Sequence, residues 1–258
     1  MGAPMARKKL RLLTSAATKL NDMKLDFRKE RMLAVVAHPD DAELLCAGTL
    51  ARARADGAAI GIAVLCNGDG GQPHKPIRNL AAVRRREMDA AARLLGAELF
   101  CGNISDGTLA DDRASRLLLT EVYRQFRPSL VLAHAAADYH TDHRAAGALA
   151  EVASWFCASR GQKTKSPPLS AAPALWWMDT VNMSGFEPGF YVDVSGFMPL
   201  KEKMLACHRS QMARSSDSSF SPLPELMRLQ ARARGTQAGV GAAEAFRAHL
   251  AFKRARAW

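Results

Sequence analysis

Two short stretches concentrate the side chains that could do chemistry. Residues 34–51 read AVVAHPDDAELLCAGTLA, and residues 131–146 read VLAHAAADYHTDHRAA. The first sets His38, Asp40 and Asp41 around a proline. The second packs His134, Asp138, His140, Asp142 and His143 together, with three of the chain's seven histidines. Imidazole and carboxylate groups without thiolates suit Zn²⁺, and also Fe²⁺, Co²⁺ or Ni²⁺. His38 and Asp41 are three residues apart, as are His140 and His143, so each pair can converge on one ion where a turn enters a helix. Two histidines and a carboxylate with one open position is a hydrolytic zinc pattern. Such an ion acidifies water and polarises a carbonyl. The chemistry also needs a general base and an oxyanion donor, and Asp40 and His140 are spare groups for those tasks. Taken alone, Pro39-Asp40-Asp41 serves equally well as a helix N-cap.

The elements around these stretches separate the two readings. RMLAVVA (31–37), AIGIAVL (59–65), AELFCG (97–102) and PSLVLAH (128–134) are short apolar runs, as expected of strands buried on both faces. Helical patterns fall between them: 42–55 with Gly57 as a stop, 80–95 with Gly96 as a stop, 111–126 opening on two acids, and 143–156. This alternation predicts a three-layer αβα, Rossmann-like, mostly parallel sheet. Ligands of such sheets bind beyond the C-terminal ends of the strands. Both His/Asp stretches follow strands, so both fall on that edge. ALWWMD and FYVDV add strand-like segments after a polar loop at 160–172, and helical stretches follow at 198–211 and 222–235. The Gly-rich loop CNGDGG after the second strand lacks the G-x-G-x-x-G spacing of a dinucleotide site; its glycines are expected to let backbone approach the pocket.

Composition narrows the function classes. The chain has 258 residues, a formal net charge of +11 and 48% hydrophobic residues, enough for an ordered core. No apolar run is long enough for a membrane span, and the first thirty residues lack a signal-peptide pattern. Residues 1–30 are read as a basic N-terminal extension and 31–258 as one domain. Aromatic residues are 7% of the chain and do not interleave with the basic runs, which argues against nucleic-acid stacking. Five cysteines without a C-x-x-C fit reduced thiols and a cytoplasmic setting. Trp176 and Trp177 are read as core. His208 with the following RSQ either braces the pocket or packs.

AHPDDAELLCAGTLA together with DYHTDHRAA resembles the PIG-L/LmbE-like family of zinc-dependent N-deacetylases. CNGDGG, RRREMDAAARLLG, SDGTL, ACHRSQ and RGTQAGVGAAEAF resemble further family motifs, and the likeness runs from about Arg31 to Phe252. Thr141 stands where the family usually has proline. The resemblance implies His38, Asp41 and His143 as ligands of Zn²⁺, with Fe²⁺ or a similar ion as a substitute. It implies Asp40 as the general base and His140, as imidazolium, as the oxyanion donor, oriented by Asp142. Arg84 matches a substrate-contacting arginine. The expected substrate is a small N-acylated amino sugar. Amidase action on a thiol conjugate or an antibiotic precursor is the alternative within the family. A non-enzymatic basic protein with a structural metal is the alternative outside it. A homo-oligomer is compatible with the sequence.

Overall fold

A computed structural model describes residues 26–214 and 222–250. Most of the N-terminal extension and the last residues of the Arg-rich tail lie outside that range. Among these residues, seven strands form one sheet: β1 (Arg31–Val36), β2 (Ala59–Cys66), β3 (Glu98–Ile104), β4 (Leu130–His134), β5 (Ala174–Met178), β6 (Phe190–Asp193) and β7 (Ala243–Ala248). Their spatial order is β3-β2-β1-β4-β5-β7-β6. The first five are parallel, and β7 pairs antiparallel with both β5 and β6.

Among the described residues, eight α-helices accompany the sheet: α1 (Asp41–Leu45), α2 (Ala47–Asp56), α3 (Leu80–Leu95), α4 (Arg113–Phe126), α5 (Thr141–Phe156), α6 (Met198–Leu205), α7 (Arg209–Met212) and α8 (Leu223–Ala238). Strand side chains alternate between two cores, as period-2 geometry requires. Met32, Ala34 and Val36 of β1 face one core, with Leu50 of α2 and Met88 of α3. Leu33 and Val35 face the other, with Leu119 of α4 and Leu149 of α5. The expected three-layer α/β architecture is therefore present. Trp176 and Trp177 enter opposite cores, which is why the strand carries two adjacent tryptophans.

The structure corrects two element assignments and adds a strand, β7, that the sequence leaves unassigned. The helix expected over 42–55 is broken at Cys46, whose backbone leaves the helical region at φ −146°. Beyond the break, Gly48 N and Thr49 N donate to Glu244 at 2.9 and 2.7 Å. A side chain distant in sequence thus caps α2, and no local signal marks it. The helical stretch at 198–211 divides into α6 and α7. The sequence AEAFRA was not expected to be a strand, because alanine and glutamate favour helices. Pairing on both sides within the sheet overrides that preference.

Glu244 is nearly fully buried, and its carboxylate also meets the buried Lys201 ammonium, which in turn donates to Leu44 O at 3.0 Å. Replacing Glu244 by alanine leaves that ammonium unpaired and uncaps α2. Glu244→Ala is expected to destabilise the fold by about 3–5 kcal/mol, measurable by urea unfolding. A loss below about 1 kcal/mol would mean that Lys201 finds another partner.

Candidate metal centre

The strand order places the site. The chain leaves β1 toward β2 and β3, then crosses back to β4 on the other side of β1. This is a topological switch point, where loops diverge and a crevice opens. β1 and β4 pair in parallel with Val35 opposite Ala133, so the segments carrying His38–Asp41 and Asp138–His143 emerge side by side.

Three side chains converge there. His38 Nδ1 lies 3.3 Å from His143 Nε2. His143 Nε2 lies 3.3 Å from Asp41 Oδ1, and His38 Nδ1 lies 3.6 Å from Asp41 Oδ2. Bonds of about 2.0–2.1 Å to a tetrahedral ion put its ligand atoms roughly 3.3 Å apart, a spacing that His143 Nε2 keeps both to His38 Nδ1 and to Asp41 Oδ1. The other nitrogen of each ring faces a carboxylate: His38 Nε2 is 3.0 Å from Asp142 Oδ2, and His143 Nδ1 is 3.0 Å from Asp138 Oδ1. With a proton held on each of those outer nitrogens, the two inner lone pairs point at the same space. Two facing lone pairs at 3.3 Å repel unless a proton or a cation sits between them. Burial acts to lower the His143 pKa, but Asp41 and Asp138 outweigh it and push it up to about 10. His38 is likewise pushed up to about 9 against burial, mainly by Asp41. The residues therefore fit a divalent cation.

His134 supports this cluster from below. Its ring is fully buried and stacks on His143 with centroids 4.0 Å apart. Its Nε2 lies 3.2 Å from both Ala37 N and Asp41 Oδ2. His134 thus acts as a hydrogen-bonding group at the end of β4, accepting from Ala37 N. Asp138 was noticed in the sequence only as part of a cluster, and its contact with His143 appears only in three dimensions.

The role expected of Asp142 is different in the structure. Its carboxylate meets His38 Nε2 and accepts from Gly107 N at 2.7 Å; it does not reach His140. What orients His140 is the Asp142 backbone, whose N–H donates to His140 Nδ1 at 3.2 Å. This is an N-cap contact at the start of α5. With Nδ1 accepting, the proton resides on Nε2 and the ring is neutral. Burial and the neighbouring His143 and His38 lower its pKa further. The expected imidazolium is thus replaced by a neutral N–H donor.

A cavity of about 510 Å³ opens from the cluster, and His38, Asp40, Asp106, Tyr139 and His140 are among its lining residues. Arg84 closes one wall. It is buried, while Arg85 and Arg86 point to solvent. Its Nη2 donates to Gly71 O at 2.9 Å and to Gln211 Oε1. A Cβ at Gly68, where φ is +74°, would meet Arg84 Cδ at 2.4 Å, and one at Gly71 would meet Arg84 Nη2 at 2.7 Å. The Gly-rich loop therefore makes room for this guanidinium, which is more specific than a general approach to the pocket. His74 is exposed and does not line the cavity.

Fold and cluster together define an α/β protein with a His/carboxylate cluster, of a kind that could hold a metal ion, at its switch-point crevice. The chain belongs to the PIG-L family: the family's model, described as GlcNAc-PI de-N-acetylase, matches residues 33–154. A solved structure of a conserved protein from Thermus thermophilus is 33% identical with a TM-score of 0.74, over 88% of this chain and 100% of that one. A diacetylchitobiose deacetylase from Thermococcus kodakarensis is 26% identical over 212 residues, 78% of this chain and 76% of that protein. A 4-oxalmesaconate hydratase from Pseudomonas putida is 27% identical over 188 residues, 69% of this chain and 73% of that protein. No helix among the described residues is long and apolar enough to cross a membrane.

The braced geometry gives a direct expectation. His143→Ala should abolish stoichiometric zinc binding, and Asp138→Ala should weaken it by roughly 10- to 100-fold. Competition of the metal-free protein against a chromophoric chelator reads both. Wild-type affinity in His143→Ala would exclude that imidazole from the ligand set.

Proposed function

We propose that this protein is a zinc-dependent N-deacylase that removes an acyl group, most simply acetyl, from a small amino-sugar-containing substrate. The observation that carries the reading is the division of labour between two adjacent carboxylates. Asp41 points at the two imidazoles, while Asp40 turns away from them and lines the cavity. His38, Asp41 and His143 would hold the ion. A divalent cation held there supplies Lewis acidity, acidifying water and polarising an acyl carbonyl. A purely structural ion is normally closed off by four protein ligands; three donors beside an open cavity favour catalysis.

The chain's own groups supply the proton transfers. Burial, with Asp41 as a negative neighbour, pushes Asp40 up to about 6. Such a carboxylate is still mostly ionised at neutral pH, yet basic enough to take a proton from water. Asp40 takes that proton as the carbon–oxygen bond forms and returns it to the amine as the carbon–nitrogen bond breaks. His140 Nε2–H donates to the carbonyl oxygen as negative charge develops there. Asp138 and Asp142 keep the two ligand imidazoles in the required tautomer. Arg84 presents a fixed cation at the cavity wall for a polar part of the substrate. The deacetylase relative and the family description both support the amino-sugar assignment. The hydratase relative, at similar identity, supports a second reading: addition of water to an unsaturated acid by the same base.

A panel of N-acetylated amino sugars, assayed for released acetate with and without chelator, tests the first reading. Metal removal should abolish release. Asp40→Ala should retain zinc and lose at least about 100-fold in turnover. Full activity in Asp40→Ala would end the proposed mechanism. Inactivity on the whole panel, with water added to an unsaturated dicarboxylic acid instead, would favour the hydratase reading.

A further inference from the structure

Asp40 holds an unusual position. Its φ is +102°, in the left-handed region that non-glycine residues avoid, and its side chain makes no capping bond to α1. Among the described residues, its carboxylate has one hydrogen-bond partner: Gln211 Nε2 donates to Asp40 Oδ2 at 2.6 Å. The other end of the same amide, Oε1, accepts from Arg84 Nη2. Asp40, Arg84 and Gln211 come from three separate parts of the chain.

We propose that Gln211 is a positioning residue for the general base, locking the Asp40 carboxylate to the cavity wall through Arg84. For what Asp40 does, this rests on the deacylase reading; for where Asp40 sits, it does not. The amide orientation follows from chemistry. A guanidinium only donates, so Oε1 must face Arg84 and the NH₂ group must face Asp40. The NH₂ group only donates, so Asp40 Oδ2 must offer it a lone pair. Gln211 therefore holds Asp40 with that oxygen unprotonated and fixes its rotation about Cα–Cβ. Among the described residues, no other hydrogen-bond donor sets the direction of this buried carboxylate.

The segment around Gln211 is built to keep it in place. Ser210 N and Oγ both bond to Glu87, at 2.8 and 2.6 Å. Glu87 lies one turn from Arg84 on α3. His208 Nε2 lies 3.4 Å from Glu43 Oε2, with both side chains fully buried, and Glu43 lies on α1 just beyond Asp41. His208, Ser210 and Gln211 thus tie α1, α3, the wall arginine and the base into one assembly. These contacts support a bracing role for the RSQ stretch.

Gln211→Glu preserves shape and still accepts from Arg84, but it cannot donate to Asp40. Gln211→Asn is too short to bridge both partners and serves if the first variant folds poorly. Zinc-loaded wild type and variants should be crystallised, and assayed on N,N′-diacetylchitobiose for released amine. The expected result is a displaced Asp40 carboxylate and a kcat lower by roughly 10- to 100-fold. KM, zinc stoichiometry and Tm should stay near wild type. In an Asp40→Asn background, Gln211→Glu should cost no further activity, because a residue acting only through Asp40 has nothing left to act on. An unmoved Asp40 with wild-type kcat, or a full additional loss in the Asp40→Asn background, would overturn the inference. If wild type releases no amine from any N-acetylated sugar, the deacylase reading fails, and the Asp40 position in the variant crystals alone decides the role of Gln211.

Discussion

Everything in the site depends on the parallel pairing of β1 with β4. Each strand ends in a His/Asp segment, and the two segments are separated by about a hundred residues of chain. Register fixes their relative height. A slip of one residue moves a strand end by about 3.3 Å and reverses its side chains. That displacement equals the whole spacing between His38 Nδ1 and His143 Nε2. The buried alternation of Leu33, Val35 and Val131 with Met32, Ala34 and Leu132 between two cores is what makes such a slip costly. The geometry of the His/carboxylate cluster is in this sense a product of hydrophobic patterning.

The second constraint is charge. Asp41, Asp138 and Asp142 are all buried within reach of two imidazoles. Burial would raise the Asp41 pKa, but His143 and His134 outweigh it and hold the carboxyl well below the usual range. An anionic cage around paired nitrogen lone pairs is stable only with a positive charge inside it, whether protons or an ion. The same economy of paired buried charge recurs outside the cage, at Lys201–Glu244 and Arg234–Asp179. The latter pair is bidentate, with Nε and Nη2 of Arg234 at 2.6 and 3.1 Å from the two Asp179 oxygens. Breaking one partner of such a pair is costly even where the intact pair adds little. These pairs anchor α6 to β7 and α8 to the end of β5.

Much of this was legible in the chain itself. Short apolar runs marked four strands and two further strand-like segments marked β5 and β6, glycines marked the ends of α2 and α3, and the positions of His38, Asp40, Asp41, His140, Asp142 and His143 after two strands marked the crevice. Each of these signals is local: a period, a stop residue, or a ligand type within a few positions. β7 was not legible, because its alanines and glutamate carry helical propensity and its strand conformation comes from neighbours on both sides. The break at Cys46 was not legible either, because its cap is Glu244, some two hundred residues away.

The sequence by itself therefore determined the chemistry available: which atoms offer lone pairs, which offer protons, and which edge of the sheet presents them. Tertiary structure decided how those atoms are assigned. It gave Asp142 to His38 rather than to His140, left His140 as a neutral donor, turned Arg84 inward and its two neighbours outward, and brought Gln211 onto Asp40. The physical reason is the same in each case. A hydrogen-bond partner is chosen by distance and direction in space, to within a few tenths of an ångström. Spacing along the chain fixes those quantities only within one turn of a helix or one strand.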